Sequence, residues 1–396
     1  MPSNLTAETG TNPHTPQVVP YWRLSGFYFF YFALLGVLYP YWPLYLQAEG
    51  FNTETIGLLL AIPMVTKIVA PNIWSWLADT TGRRLGIIQL GSLLGLVCFS
   101  GLLIGHGFWW LAVVMTSYSF FWNAVLPQHE VITLNYLGEH PEKYSRLRLW
   151  GSIGFIAAVI GAGAVYERVD INLFPWLGVA FLFSIFVSSL LIPKPREEGT
   201  RPQRESLWRG AIQKPVLAFM AAGILLQAAH GAYYSFFSIY MEELGYTRTA
   251  IGLLWSIGVV AEVFIFIVMH NLLLSFGIRT VLICSLLLAA LRWFIIGYGA
   301  DFLSLLIIAQ CLHAFTFGTF HAAAIDTIRR LFKPGTQGGG QALYGAVSFG
   351  IGGAMGSLLA GRFWAEGASL VFGAAAALCL VAALIAWLGF RDPRLS

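Results

Sequence analysis

Charged side chains are scarce in this chain of 396 residues: Asp, Glu, Lys and Arg make up 11% of it, less than half of the roughly 25% that a soluble globule carries. That shortage, with 57% hydrophobic residues and a mean hydropathy of +0.71, excludes a water-soluble domain and indicates a polytopic membrane protein. Cysteine is scarcer still. Cys98, Cys284, Cys311 and Cys379 stand singly in apolar runs, so neither a disulfide framework nor a metal site is expected. His129-Glu130 begins like a zinc-binding helix, but position 133 is Thr, where His-Glu-x-x-His needs its second His. Gly-x-Ser-x-Gly and a phosphate-cradling loop are also missing, which argues against an enzyme, and no cofactor is expected. The alternating ten-residue pattern of a membrane barrel is absent too, leaving the helix as the spanning element.

What is present is a series of apolar runs, each near the 20 residues or so that span a bilayer. They fall near 22–47, 54–78, 85–105, 108–135, 147–166, 172–192, 215–241, 250–272, 279–298, 302–325, 340–362 and 367–389. The expected architecture is an all-α membrane protein of about twelve helices in two six-helix halves. The halves are 21–192 and 215–390, joined by a polar linker at 193–214 and flanked by a disordered tail at 1–20 and a short tail at 391–396. The first helix is expected to act as its own uncleaved insertion signal. With the tails and the even-to-odd connections on one side, that side holds 18 of the 23 Lys and Arg residues, so both termini are expected in the cytoplasm. The net charge of +4 follows from this topology and calls for no nucleic-acid partner.

The halves repeat each other. Gly50-Phe51-Asn52-Thr53-Glu54-Thr55-Ile56-Gly57 aligns with Gly245-Tyr246-Thr247-Arg248-Thr249-Ala250-Ile251-Gly252 at an offset of 195 residues, which sets Lys67 opposite Glu262. Two similar bundles around a shared axis, with ionisable groups at matched depth, point to a transporter. On the seventh run Gln227, His230, Tyr234 and Ser238 share helical spacing and could line a polar cavity. Lys67 joins them as a candidate substrate contact. Tyr28, Tyr31, Leu35, Tyr39 and Trp42 also share a face, read here as core or interface rather than binding wall. Gly350-Ile-Gly-Gly-Ala-Met-Gly356 offers a small-residue face for close helix packing.

Two segments carry a family resemblance. Ser75-Trp76-Leu77-Ala78-Asp79-Thr80-Thr81-Gly82-Arg83-Arg84 resembles the loop signature of the major facilitator superfamily, with Ser75 where that signature has Gly. Asp79, Gly82, Arg83 and Arg84 would then form a cytoplasmic gate, with charge pairing able to latch the two halves. Arg146-Leu147-Arg148-Leu149-Trp150-Gly151-Ser152-Ile153-Gly154-Phe155 resembles the phenylpropionate-permease-like family and its relatives, the lactose-permease-like and nucleoside symporters. The resemblance implies a carboxylate 18 residues before the substrate-binding arginine, and here these positions are Glu130 and Arg148. It also implies coupling residues at Glu262, Arg292 and His313. Lactose-permease-like proteins carry a glutamate three residues after that histidine, and here the position is Thr316.

The resemblance implies a major facilitator fold, one small solute and protons as partners, and residence as a monomer in a bacterial inner membrane. The function expected is secondary active transport by alternating access, proton-coupled and directed inward, with an aromatic carboxylate such as a phenylpropionate favoured. The alternatives are a sugar or nucleoside symporter, efflux of a small molecule, or a non-transporting sensor on the same scaffold.

Overall fold

The computed structural model describes residues 18–194 and 208–392, and all regular elements among them are helical. The expected tail at 1–20 and the linker at 193–214 fall largely outside the described residues. In chain order the helices are α1 (Tyr21–Ala48), α2 (Thr53–Thr81), α3 (Arg84–Phe99), α4 (Phe108–Leu137), α5 (Tyr144–Arg168) and α6 (Phe174–Leu190). There follow a single turn α7 (Trp208–Ala211), then α8 (Lys214–Glu243), α9 (Arg248–Gly299), α10 (Leu303–Cys311), α11 (Phe320–Leu331), α12 (Gln337–Tyr344), α13 (Gly353–Phe363) and α14 (Ala368–Gly389). Wider π-helical turns at Ala314–Thr319 and Gly345–Gly352 carry α10 into α11 and α12 into α13.

Among the described residues ten helical segments are long and apolar enough to cross a membrane. The sequence leads one to expect about twelve, and two places account for the difference. α4 has 30 residues but carries Asn123, Gln128, His129 and Glu130, and is not one of the ten. α9 counts once at 52 residues, although Gly277 inside it takes φ 71° and ψ 158°, a backbone state that only glycine adopts without strain. Gly277 lies in the connection that separates the runs at 250–272 and 279–298.

The repeated segment is a helix stop followed by a helix start. Gly50 and Gly245 both take positive φ, 85° and 83°. Behind them the amide of Phe51 donates to the Leu46 carbonyl at 3.2 Å, and that of Tyr246 donates to Met241 at 3.0 Å. These are matching C-terminal caps. The next helices start alike: Asn52 Oδ1 accepts from the Thr55 amide, and Thr247 Oγ1 from the Ala250 amide.

Within the first half α1 packs on α5 and α6, α2 on α4, and α3 between α4 and α6. In the second, α8 packs on α13 and α14, and α9 on α14. The halves meet where α2 crosses α13, α5 crosses α9 and α1 crosses α8. Glycines set the first two crossings. A methyl group at Gly57 would lie 2.6 Å from the Ser357 carbonyl oxygen, and one at Gly361 would lie 2.7 Å from that of Thr53. On the partner crossing, Gly252 would meet the Val159 carbonyl at 2.5 Å and Gly163 that of Arg248 at 2.5 Å. Thr53 and Arg248 are equivalent in the repeat, so the two crossings are pseudo-symmetric copies. Only residues without a side chain permit such approach. Polar ties reinforce the same end: Arg362 pairs with Glu54 at 3.2 Å, Arg248 Nη1 donates to the Tyr166 carbonyl at 3.0 Å, and the Thr249 amide donates to Glu167 at 3.1 Å.

Candidate functional site

A cavity lies between the halves, walled by single faces of three helices. α1 supplies Leu35, Leu38, Tyr39 and Trp42; α2 supplies Leu60, Pro63, Met64 and Lys67; α4 supplies Met115, Tyr118, Ser119, Trp122 and Asn123. Each set repeats every three or four residues, the spacing of one helical face. Tyr234 and Ser235 of α8 and Ser357 of α13 close it from the second half. Lys67 is the one charged residue in that lining. Among the described residues its ammonium reaches only the Tyr39 hydroxyl, at a long 3.4 Å. Beside it Thr66 ties α2 to α4, donating to Ser119 Oγ and accepting from Asn123 Nδ2, both at 2.9 Å. Tyr31 stacks on Trp122 at 4.0 Å and 7°, and Tyr39 lies 5.1 Å from Tyr234 across the halves.

A second group surrounds Arg148. Its guanidinium lies over the Phe32 ring at 3.7 Å. Gly151 leaves the room for this: a methyl there would stand 2.7 Å from both Arg148 Nη1 and the Phe32 ring. Glu130 accepts from the Tyr144 hydroxyl at 3.1 Å. The field of Arg148 acts on Glu130 in its own half and on Glu262 in the other, yet neither forms an ion pair with it. Glu262 is seated by Gly318, where a methyl would meet its Cγ at 2.9 Å. All three charged groups are partly exposed rather than sealed in the core.

Arg292 stands apart from both groups. It is fully buried, sandwiched between Tyr233 and Trp293 at 4.4 Å from each ring. Its Nη1 contacts His313 Nδ1 at 3.0 Å and donates to Thr316 Oγ1 at 3.3 Å, its Nη2 donates to Gln310 Oε1 at 3.5 Å, and among the described residues no carboxylate pairs with it. Thr316, standing where the resembled family has its glutamate, thus serves as a neutral acceptor.

The structure therefore redistributes the sequence candidates. Lys67 and Tyr234 line the cavity, and so do Leu35, Tyr39 and Trp42 of a stripe read from sequence as core. Gln227 and His230 do not; both are buried, and His230 Nδ1 is bonded to the Leu226 carbonyl at 2.9 Å. Lys67 and Glu262, opposite in the repeat, form no ion pair. The expected coupling set divides, with Arg292 beside His313 and Glu262 under the field of Arg148. At the expected gate Asp79 pairs with Arg84, which also donates to Gln128 at 2.6 Å. Gly82 caps α2 with φ 67°, and Arg83 precedes α3. These bonds stay within the first half, so Asp79 and Arg84 do not latch the halves together here. Met115, Tyr118, Ser119, Trp122 and Asn123 were missed from sequence, though their spacing was a readable signal.

A family model described as the MFS_1 like family matches residues 21–374. The chain is 32% identical over 336 residues to a probable 3-phenylpropionic acid transporter of Escherichia coli (strain K12), covering 83% of this chain and 87% of that one. It is 28% identical over 356 residues to a maltose permease of Geobacillus stearothermophilus, covering 87% and 89%. In fold it is similar to the crystal structure of the nucleoside transporter NupG, with a TM-score of 0.83 at 17% identity, covering 94% of this chain and 99% of that one.

Proposed function

The chain belongs to the MFS_1 like family of membrane transporters, and on that premise we propose that it is a proton-coupled importer of small aromatic carboxylates. One observation carries the reading: Lys67 is the single charge lining a cavity walled by the rings of Tyr39, Trp42, Tyr118, Trp122 and Tyr234 and by apolar side chains, with Ser119, Asn123, Ser235 and Ser357 as its neutral polar members. An ammonium whose only partner among the described residues is a distant hydroxyl suits a carboxylate, and flat aromatic walls suit a ring. The name of the phenylpropionic acid relative agrees with this chemistry. A sugar or nucleoside is the weaker reading, because Glu130 and Arg148, the pair suited to hydroxyls, are not among the lining residues.

Glu130, Arg148 and Glu262 are assigned to the proton. Two carboxylates share the field of one guanidinium, so the group carries one surplus negative charge that a proton cancels. Lys67 then takes the substrate anion and this group takes the proton. The loaded protein has no net charge added, which is the condition for carrying both through a low-dielectric barrier. Arg292 and His313 are assigned to packing within the second half, and Asp79, Gly82, Arg83 and Arg84 to ordering the cytoplasmic ends of α2 and α3. The two halves, 21–192 and 215–390, rock about the glycine crossings. The glycine crossings and polar ties hold the Gly50 and Gly245 end closed in the state described. Both termini are cytoplasmic, the membrane is a bacterial inner membrane, and the transporting unit is the monomer.

The test is uptake of radiolabelled 3-phenylpropionate into proteoliposomes. One proton per monocarboxylate moves no net charge, so accumulation should follow the pH difference at about tenfold per unit. Clamping the potential with valinomycin and potassium should leave it unchanged. Accumulation driven by potential alone, or by a sodium gradient, would contradict the coupling. Failure to bind the acid would contradict the substrate class.

A further inference from the structure

We infer that the closed end opens from one side: Tyr41 latches the α5–α9 crossing, so that α2 parts from α13 before α5 parts from α9. The inference rests on the rocking of the two halves proposed above and not on the choice of solute. Tyr41 stands on α1 and is fully buried. Its hydroxyl donates to the Val159 carbonyl of α5 at 2.7 Å and, across the halves, to the Arg248 carbonyl of α9 at 3.2 Å. One proton is thus shared between an acceptor in each half. The hydroxyl also fills the crossing. A methyl group at Gly163 would stand 2.5 Å from the Tyr41 oxygen, and one at Gly252 would stand 2.7 Å from it.

The repeat breaks its symmetry at this point. Its offset of 195 residues aligns Tyr41 with Phe236 of α8. Packing supports the match. Tyr41 meets the ring of Tyr166 edge-on at 5.1 Å, just past Gly163, and Phe236 stacks on Trp364 at 4.7 Å, just past Gly361. Phe236 has no hydroxyl to offer. At its crossing Gly57 and Gly361 lie directly against each other, each Cα 2.9 Å from the β-carbon that the other would carry.

The remaining ties are unequal in the same sense. Across α5 and α9, Arg248 also donates to the Tyr166 carbonyl and the Thr249 amide to Glu167. Across α2 and α13 the polar tie among the described residues is the Arg362–Glu54 pair, with side chains 66% and 55% exposed. A pair so exposed holds little, because water screens it and both long side chains lose freedom in forming it. The Tyr41 hydroxyl is buried, so water can replace its bond to Arg248 only after the helices have begun to part.

The experiment places single cysteines at Val159 and Ser357, which hold the same position in the two crossings. Their carbonyl oxygens lie 2.5 and 2.6 Å from the β-carbons that Gly252 and Gly57 would carry, and the residues are 0% and 2% exposed. Alkylation by a membrane-impermeant maleimide is measured above the blank set by the chain's own cysteines and normalised to the unfolded protein. With Tyr41 intact, Ser357→Cys should react several times faster than Val159→Cys. Tyr41→Phe should raise the rate at Val159→Cys relative to Ser357→Cys roughly two- to tenfold, the yield of one net hydrogen bond. Equal rates with Tyr41 intact, or a faster Val159→Cys, overturn the inference. So does a ratio that Tyr41→Phe leaves unmoved, which is what a general loosening gives. Protection of both cysteines in every condition would contradict the rocking of the halves and this inference with it. Should Tyr41→Phe fail to reach the membrane, the ratio with Tyr41 intact decides.

Discussion

Gly57 and Gly361 meet backbone to backbone across the two halves: a β-carbon on Gly57 would stand 2.9 Å from the Gly361 Cα. Gly57→Leu should therefore force α2 away from α13 and favour the state open at this end. Overpacking of this kind is worth about 1–3 kcal/mol, enough to shift the balance roughly tenfold. The reporter is a cysteine at Ser357, which is 2% exposed and whose carbonyl oxygen lies 2.6 Å from where the Gly57 β-carbon would stand. Its rate of alkylation by a membrane-impermeant maleimide should rise by that factor in the Gly57→Leu background. An unchanged rate would mean that the crossing does not govern access.

Glu262 should be the residue that separates accumulation from exchange. Glu262→Gln keeps the shape but cannot gain or lose a proton, so pH-driven accumulation should vanish while exchange of internal for external substrate continues. Gly318→Ala should act in the same direction more weakly, because its methyl would press on the Glu262 Cγ at 2.9 Å. Loss of exchange together with accumulation would point to a collapsed site rather than to uncoupling.

Arg292 invites the opposite expectation. Among the described residues no carboxylate pairs with it, so Arg292→Met strands no buried charge and removes the contacts to His313, Thr316 and Gln310 and the stacking of the guanidinium on Tyr233 and Trp293. The loss should be about 1–3 kcal/mol, visible as a lowered thermal unfolding midpoint. Accumulation driven by pH should persist in the folded variant. Its abolition in a well-folded variant would return Arg292 to the proton pathway.

Much of this arrangement was legible along the chain and some was not. The apolar runs gave the helices, and the repeat at Gly50 and Gly245 proved to be a matched pair of helix caps, because caps are set by local chemistry. Periodicity also grouped Tyr39 with Trp42. It could not say that this face meets a cavity, since a buried aromatic stripe has the same pattern whether its neighbour is a side chain or a space. The pairing of Glu262 with the field of Arg148 was hidden for a different reason. It depends on how the halves meet, and register within the repeat placed Lys67 opposite Glu262 instead. The α4 face of Met115, Tyr118, Ser119, Trp122 and Asn123 was readable by spacing but lacked a charge to draw notice.

The account stands most directly on Lys67 as the carboxylate anchor. Equilibrium binding of 3-phenylpropionate and of its uncharged amide to purified protein isolates that charge, because the two ligands share a ring and a chain. The acid should bind at least about tenfold more tightly than the amide to the wild type, as a charge-assisted contact in a cavity of low polarity would give. Lys67→Gln should erase the difference by weakening the acid alone. Equal binding of acid and amide by the wild type, or a preference for the acid that survives Lys67→Gln, would contradict it.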